Sequence, residues 1–209
     1  MLNSVYKEVK SAFVENKLAI IASILILFIS LILGYVFQPY LFNYLNPVVE
    51  DLTSKVQSGV IQLTFADIFI NNIMIILQMF IYGLFLCLSS LILAFNGFFV
   101  GYYVACQPDL IQVLVLIIPH GIFEFSSCIL GCASGFVLFH FAYRLVKTFL
   151  GQKEMKLIER IVFSYDENFD KLLQAFILLL ISSILMVIAA IFEVYLTLPI
   201  AEFLMSVLS

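Results

Sequence analysis

Residues 18–37 read LAIIASILILFISLILGYVF, apolar or small throughout and without a charge. A helix rising 1.5 Å per residue needs about 20 such residues to cross the hydrocarbon of a bilayer. A secretory leader has a shorter apolar core, roughly 7–15 residues, followed by a small-residue cleavage site. This core is too long and no A-x-A follows it, so the stretch is predicted to be a retained membrane span. The rest of the chain agrees. Of its 209 residues 64% are hydrophobic and 11% charged, whereas ordinary globular domains hold about 45–50% apolar and about 25% charged residues. A water-soluble domain of this size could not hide so much hydrocarbon, because many of its residues must face the solvent. The predicted fold class is therefore all-α: a polytopic transmembrane helical bundle, one membrane domain over residues 1–209, with lipid as its first partner.

Outward from that span, residues 38–69 hold Pro39 and Pro47 and a mixed stretch, read as a loop carrying an interfacial helix. Asn71–Phe95 is predicted as the second crossing and Gly97–Cys106 as a short third one. QPD at 107–109 breaks the chain, Leu110–Ile118 forms an outer re-entrant or interfacial piece ended by Pro119, and Gly121–Tyr143 crosses again. Leu172–Leu196 is the last span. The total is about five crossings plus short broken or re-entrant helices, which membranes tolerate only where protein or a wet cavity covers them. Amphipathic segments near 1–17, 48–66 and 145–163 are predicted to lie at the interface. Lys7, Lys10 and Lys17 precede the first span, and Arg144, Lys147, Lys153, Lys156, Arg160 and Lys171 precede the last. Only Lys55 falls in the first long loop. By the positive-inside rule the N-terminus is cytoplasmic and the C-terminus outside.

No Lys/Arg-rich block suits nucleic acid. Cys87, Cys106, Cys128 and Cys132 form neither a zinc pair nor a disulfide framework and read as buried thiols. No nucleophile–base pair, phosphate loop or G-x-S-x-G appears, so no enzyme activity and no cofactor are expected.

The polar exceptions are few. In IIPHGIFEFSSCILG (117–131), His120 and Glu124 are four residues apart and share a helix face. Pro119 and Gly121 place His120 near a predicted helix start. Glu193 lies roughly 30 Å along the last span by helix rise, at its outer end. Asn71 and Asn72 open the second span from that side. Asn71, Asn72, His120, Glu124 and Glu193 thus form a candidate polar intramembrane site, since ionisable groups in hydrocarbon cost a few kcal/mol and mark function by default. Helix capping is the structural alternative. H-x-x-x-E lacks the second histidine of H-E-x-x-H, and no metal is expected. Gly97-FFV-Gly101 and Gly131-CAS-Gly135 have the G-x-x-x-G spacing that lets helix backbones approach, within one subunit or in a homo-oligomer. His140 reads as a packing residue.

Four stretches in this order, IFINNIMIILQMFIYG, AFNGFFVGYYVA, IIPHGIFEFSSCILGCASG and IAAIFEVYLTLP, resemble the stage II sporulation protein M family. The resemblance covers roughly Phe69–Pro199, and P-H-G-x-x-E is its most specific element. By position the family pattern falls on Asn71, Asn72, Asn96, Gly97, Gly101, Pro119, His120, Gly121, Glu124, Gly131, Gly135, Glu193 and Pro199. Leu198 intrudes between Thr197 and Pro199, and Phe125 and Ser126 replace the more usual apolar–small pair. The resemblance implies an integral membrane protein without enzyme activity of its own. The founding member works with peptidoglycan-degrading partners during forespore engulfment. A scaffold that positions partner proteins in a membrane complex is the reading that follows. A transporter or channel component is the alternative, with a wet cavity lined by Asn72, His120, Glu124 and Glu193.

Overall fold

Lipid offers no hydrogen bonds, so each peptide group of a spanning segment must be satisfied within its own helix. The computed structural model, which describes residues 2–58 and 64–208, obeys this throughout its length, and no strand occurs among the described residues. The elements are α1 (Leu2–Glu15), α2 (Lys17–Gln57), α3 (Phe65–Tyr82), α4 (Leu86–Ala105), α5 (Leu110–Gly151) and α6 (Leu157–Ile191). One π-helical turn (Phe192–Leu196) then leads into α7 (Thr197–Leu208). Five segments are long and apolar enough to cross a bilayer: α2, α3, α4, α5, and α6 with its continuation. The protein is a multi-pass helical membrane protein.

The boundaries differ from expectation in several places, among them α5 running on to Gly151 past Tyr143 and α6 starting at Leu157 and not at Leu172. Asn71–Phe95 is not one span: the chain turns at Gly83–Phe85, ending α3 and starting α4. The turn is as apolar as the helices, so hydropathy cannot locate it. The short crossing expected at Gly97–Cys106 is the second half of α4, and Leu110–Ile118 is no re-entrant piece. α5 instead runs unbroken through Pro119. Proline removes one N–H and crowds the preceding turn, but a packed helix accommodates it. Likewise the loop expected from Gln38 is helix as far as Gln57, with Pro39 and Pro47 inside it. The interfacial segment expected at 48–66 falls partly on 59–63, outside the described residues. Two starts follow cap chemistry: Thr64 accepts from the Asp67 N–H at the head of α3, and Asp109 accepts from those of Ile111 and Gln112 at the head of α5.

Each crossing has two unlike faces. On α2, Ser23, Leu27, Ser30 and Gly34 are buried, while Ile21, Leu25, Phe28, Ile32 and Val36 are exposed toward lipid. The buried stripe meets α4 at backbone distance: a methyl group on Gly101 would overlap the Leu31 carbonyl oxygen, and one on Gly34 that of Phe98. Small residues allow this approach, and dispersion contacts hold it where lipid removes the hydrophobic drive. Gly97 abuts Ser30, and Gly131 abuts Ile76 and Ser182. A methyl on Gly135 would strike the Met79 carbonyl, and the α3–α4 turn at Gly83 rests on Gly135 itself.

α5 is the central helix, burying Ser127, Cys128, Leu130–Gly135 and Val137. Around it Leu27, Ile76, Met79, Leu93, Met186 and Ala189 close one apolar cluster. Ser127 and Ser182 clasp α5 to α6 reciprocally, each hydroxyl donating to the other's backbone carbonyl at 2.6 and 2.7 Å. At one end of the bundle α1 is pinned to α6 by a buried polar knot. Lys171 Nζ donates to Glu15 at 2.7 Å and to the Gln174 side-chain carbonyl at 2.8 Å, and Asn16 donates to that same carbonyl at 2.8 Å.

Candidate functional site

The knot at Gln174 fixes a depth scale, because it sets the start of α2 level with this point of α6. By helix rise Glu193 lies about 28 Å further along, near the opposite face of a hydrocarbon layer about 30 Å thick. There the helix widens. The π turn Phe192–Leu196 carries Glu193 within it, and such single-turn bulges re-aim side chains and are frequent at functional sites. Across from it α5 presents His120 and, one turn on, Glu124. One ligating atom from each of His120, Glu124 and Glu193 can be chosen so that all lie within 4.8 Å of one another.

His120 sits inside α5 and not at a helix start, so the capping alternative does not describe it. Its Nδ1 is 3.2 Å from the Thr197 Oγ1. Thr197 has one hydroxyl proton, which it donates to the Phe192 carbonyl at 3.0 Å. With its proton on that carbonyl, the Thr197 oxygen is placed to accept from His120 Nδ1–H. That assignment leaves Nε2 with the lone pair in the neutral ring, available as an acceptor or ligand. Among the described residues neither Glu124 nor Glu193 has a hydrogen bond or an ion pair. Phe123 and Phe192, each next to one of the acids, pack with ring centroids 4.8 Å apart and draw the two segments together.

The structure unites three of the five expected site residues. Asn71 is exposed, and its amide lies 3.5 Å from the side-chain oxygen of the adjacent Asn72. Neither asparagine bonds to the trio. Asn96 donates to the Ile92 carbonyl of its own helix at 2.9 Å. Pro119 and Gly121 lie in unbroken helix beside His120, Gly121 against Ile117 and Phe125, and Pro199 lies inside α7. Thr197 was not among the expected residues. Its signal was its place one turn after Glu193, where a hydroxyl and a carboxylate share a helix face. His140 is exposed and not packed; it lines a recess with Tyr143, Arg144, Lys147, Phe163 and Glu167 at the far end of α5. A second groove, between α2, α3 and α4, is lined by Ser30, Leu33, Gln78, Leu91 and Asn96.

The family profile described as Stage II sporulation protein M matches residues 23–198. An uncharacterized protein of Methanocaldococcus jannaschii is 34% identical over 180 residues, covering 83% of this chain and 93% of that protein. A second uncharacterized protein of the same organism is 27% identical over 209 residues, with 96% of this chain and 91% of that protein covered. No solved structure matches the chain.

Proposed function

The chain belongs to the stage II sporulation protein M family, and on that premise we propose that it is a non-enzymatic scaffold holding partner proteins in a membrane complex. In this reading the N-terminus and the α5–α6 connection face the cytoplasm and the C-terminus faces outward, in keeping with the basic residues at 7–17 and 144–171.

One observation carries the scaffold reading. α2 has 41 residues, about 61 Å by helix rise, twice the hydrocarbon thickness. Beyond Gly34 its own chain covers it only in part: Gln38 still donates to Cys106 Sγ at 3.6 Å, but from Tyr35 to Ser58 no residue of described exposure is buried. Tyr40 and Tyr44 are each 77% exposed, with Phe37 and Phe42 also open. Aromatic anchors on a projecting helix suit a protein partner. The transporter reading has the His120–Glu124–Glu193 trio as its motive; the open aromatic face of α2 favours the scaffold.

The test uses a photo-crosslinking residue in place of Tyr40, Tyr44 or, as a lipid-facing control, Phe28. Adducts to one same protein at the two tyrosine positions and none at the control are expected. Tyr40→Ser with Tyr44→Ser should release that protein in mild-detergent co-purification. Lipid adducts alone, with no protein co-purifying, would sink the scaffold.

A further inference from the structure

We propose that His120, Glu124 and Glu193 bind one divalent transition-metal cation of the zinc type, clamped between α5 and the π turn that follows α6. This goes beyond the scaffold reading and stands on a different part of the molecule. Zinc bonds of about 2.0–2.1 Å set tetrahedral donors about 3.3 Å apart. One ligating atom of each residue, either ring nitrogen counting for His120, already lies within 4.8 Å of the others, and rotation of the three side chains would close the gap without moving a helix.

Three features point to a cation. The first is charge. Two carboxylates face each other at membrane depth with no hydrogen bond or cationic side chain on either among the described residues. Paired anions in hydrocarbon repel and are costly to desolvate, and a single dication cancels both. The second is the tautomer. Thr197 fixes the His120 proton on Nδ1, so Nε2 presents its lone pair. Metal-bound histidines are held the same way, donating the other ring N–H to an outer partner. The third is backbone form. The π turn spanning Phe192–Leu196 carries Glu193 to the α5 face where His120 and Glu124 wait. One imidazole and two carboxylates leave the fourth tetrahedral position to water. The sequence argued against a metal because H-x-x-x-E supplies only two ligands, and the third arrives from a distant segment.

The experiment uses the full chain in lipid nanodiscs, stripped with chelator and dialysed against micromolar zinc chloride, with bound metal measured by mass spectrometry. One zinc per chain is expected in the wild type. Glu193→Gln and Glu124→Gln should each lose it, while Glu202→Gln on exposed α7 keeps it. Thr197→Val removes the acceptor for His120 Nδ1–H together with the hydroxyl's bond to the Phe192 carbonyl, and its zinc affinity should fall about 10–100-fold with helix content unchanged by circular dichroism. Should a glutamate variant fail to fold, cobalt in the wild type and in Thr197→Val still decides: a visible d–d band should appear in the first and weaken in the second. A wild type holding no zinc, as expected if the carboxylates merely share a proton, overturns the site. So does zinc retained undiminished in Glu193→Gln and Thr197→Val.

Discussion

At the residue scale the strongest electrostatic contact lies away from the trio, in the knot joining α1 to α6. Glu15 accepts from Lys171 at 2.7 Å, from Gln174 at 3.1 Å, and from Ser11. These bonds, with Lys171 foremost, hold the Glu15 carboxyl down at about 2 against an ordinary 4.5. A depressed carboxylate contributes stability that is fully present above pH 4.5 and fades as pH falls toward about 2. Glu15→Gln leaves the buried Lys171 ammonium without its anion. Breaking a fully buried pair costs about 3–5 kcal/mol; Glu15 is 48% exposed, so screening reduces the loss to about 1–2 kcal/mol. Thermal melts of detergent-solubilised protein should separate wild type from Glu15→Gln at pH 6, and the two curves should converge near pH 2. An unchanged separation across that range would assign the stability to packing. The knot was hard to read from sequence because Lys171 and Gln174 look like the polar margin of an apolar run. His120 and Glu124 were legible, being four apart on one strand of code. The contact of Thr197 with His120 needed the helix rotations, which spacing alone does not set.

The elements are governed by how closely their backbones approach. Gly97 and Gly101 were recognisable from their four-residue spacing, but their partner stripe on α2, Ser23, Leu27, Ser30 and Gly34, has no such motif. Its mark is only a row of small residues in a run of leucine and isoleucine. Gly101→Leu drives a side chain into the Leu31 backbone. Backbone cannot rotate aside as a side chain can, so overpacking should cost at least about 1–3 kcal/mol, read as a shifted unfolding midpoint in mixed micelles. Gly151→Ala is the contrast, because nothing lies within 4 Å of a methyl placed there; it should stay within about 0.5 kcal/mol of wild type. Equal effects of the two would remove the case for α2–α4 backbone contact. The misplaced boundaries share one cause. Hydropathy registers where water is excluded, and it is blind to a turn such as Gly83–Phe85 whose residues are as apolar as the helices it joins.

At the scale of the whole molecule, the individual spans shifted but their parity did not. Four crossings, α2 through α5, separate Lys7, Lys10 and Lys17 from Lys147, Lys153 and Lys156. An even number returns the chain to its starting side, so both basic groups can satisfy the same surface potential, and the last crossing carries α7 to the other face. On the proposed orientation the trio of His120, Glu124 and Glu193 would belong to the outer leaflet, and the knot at Glu15 and Lys171 to the inner one. In a background with Cys87, Cys106, Cys128 and Cys132 replaced by Ala, single cysteines at Lys153 and at Ser206 report the two faces. A membrane-impermeant maleimide applied to intact cells should label Ser206→Cys and spare Lys153→Cys until the membrane is opened. Labelling of Lys153→Cys alone before opening would invert the map, and the proposed zinc site and the projecting half of α2 would exchange sides with it; labelling of both would mean that the segment from α6 to α7 does not cross.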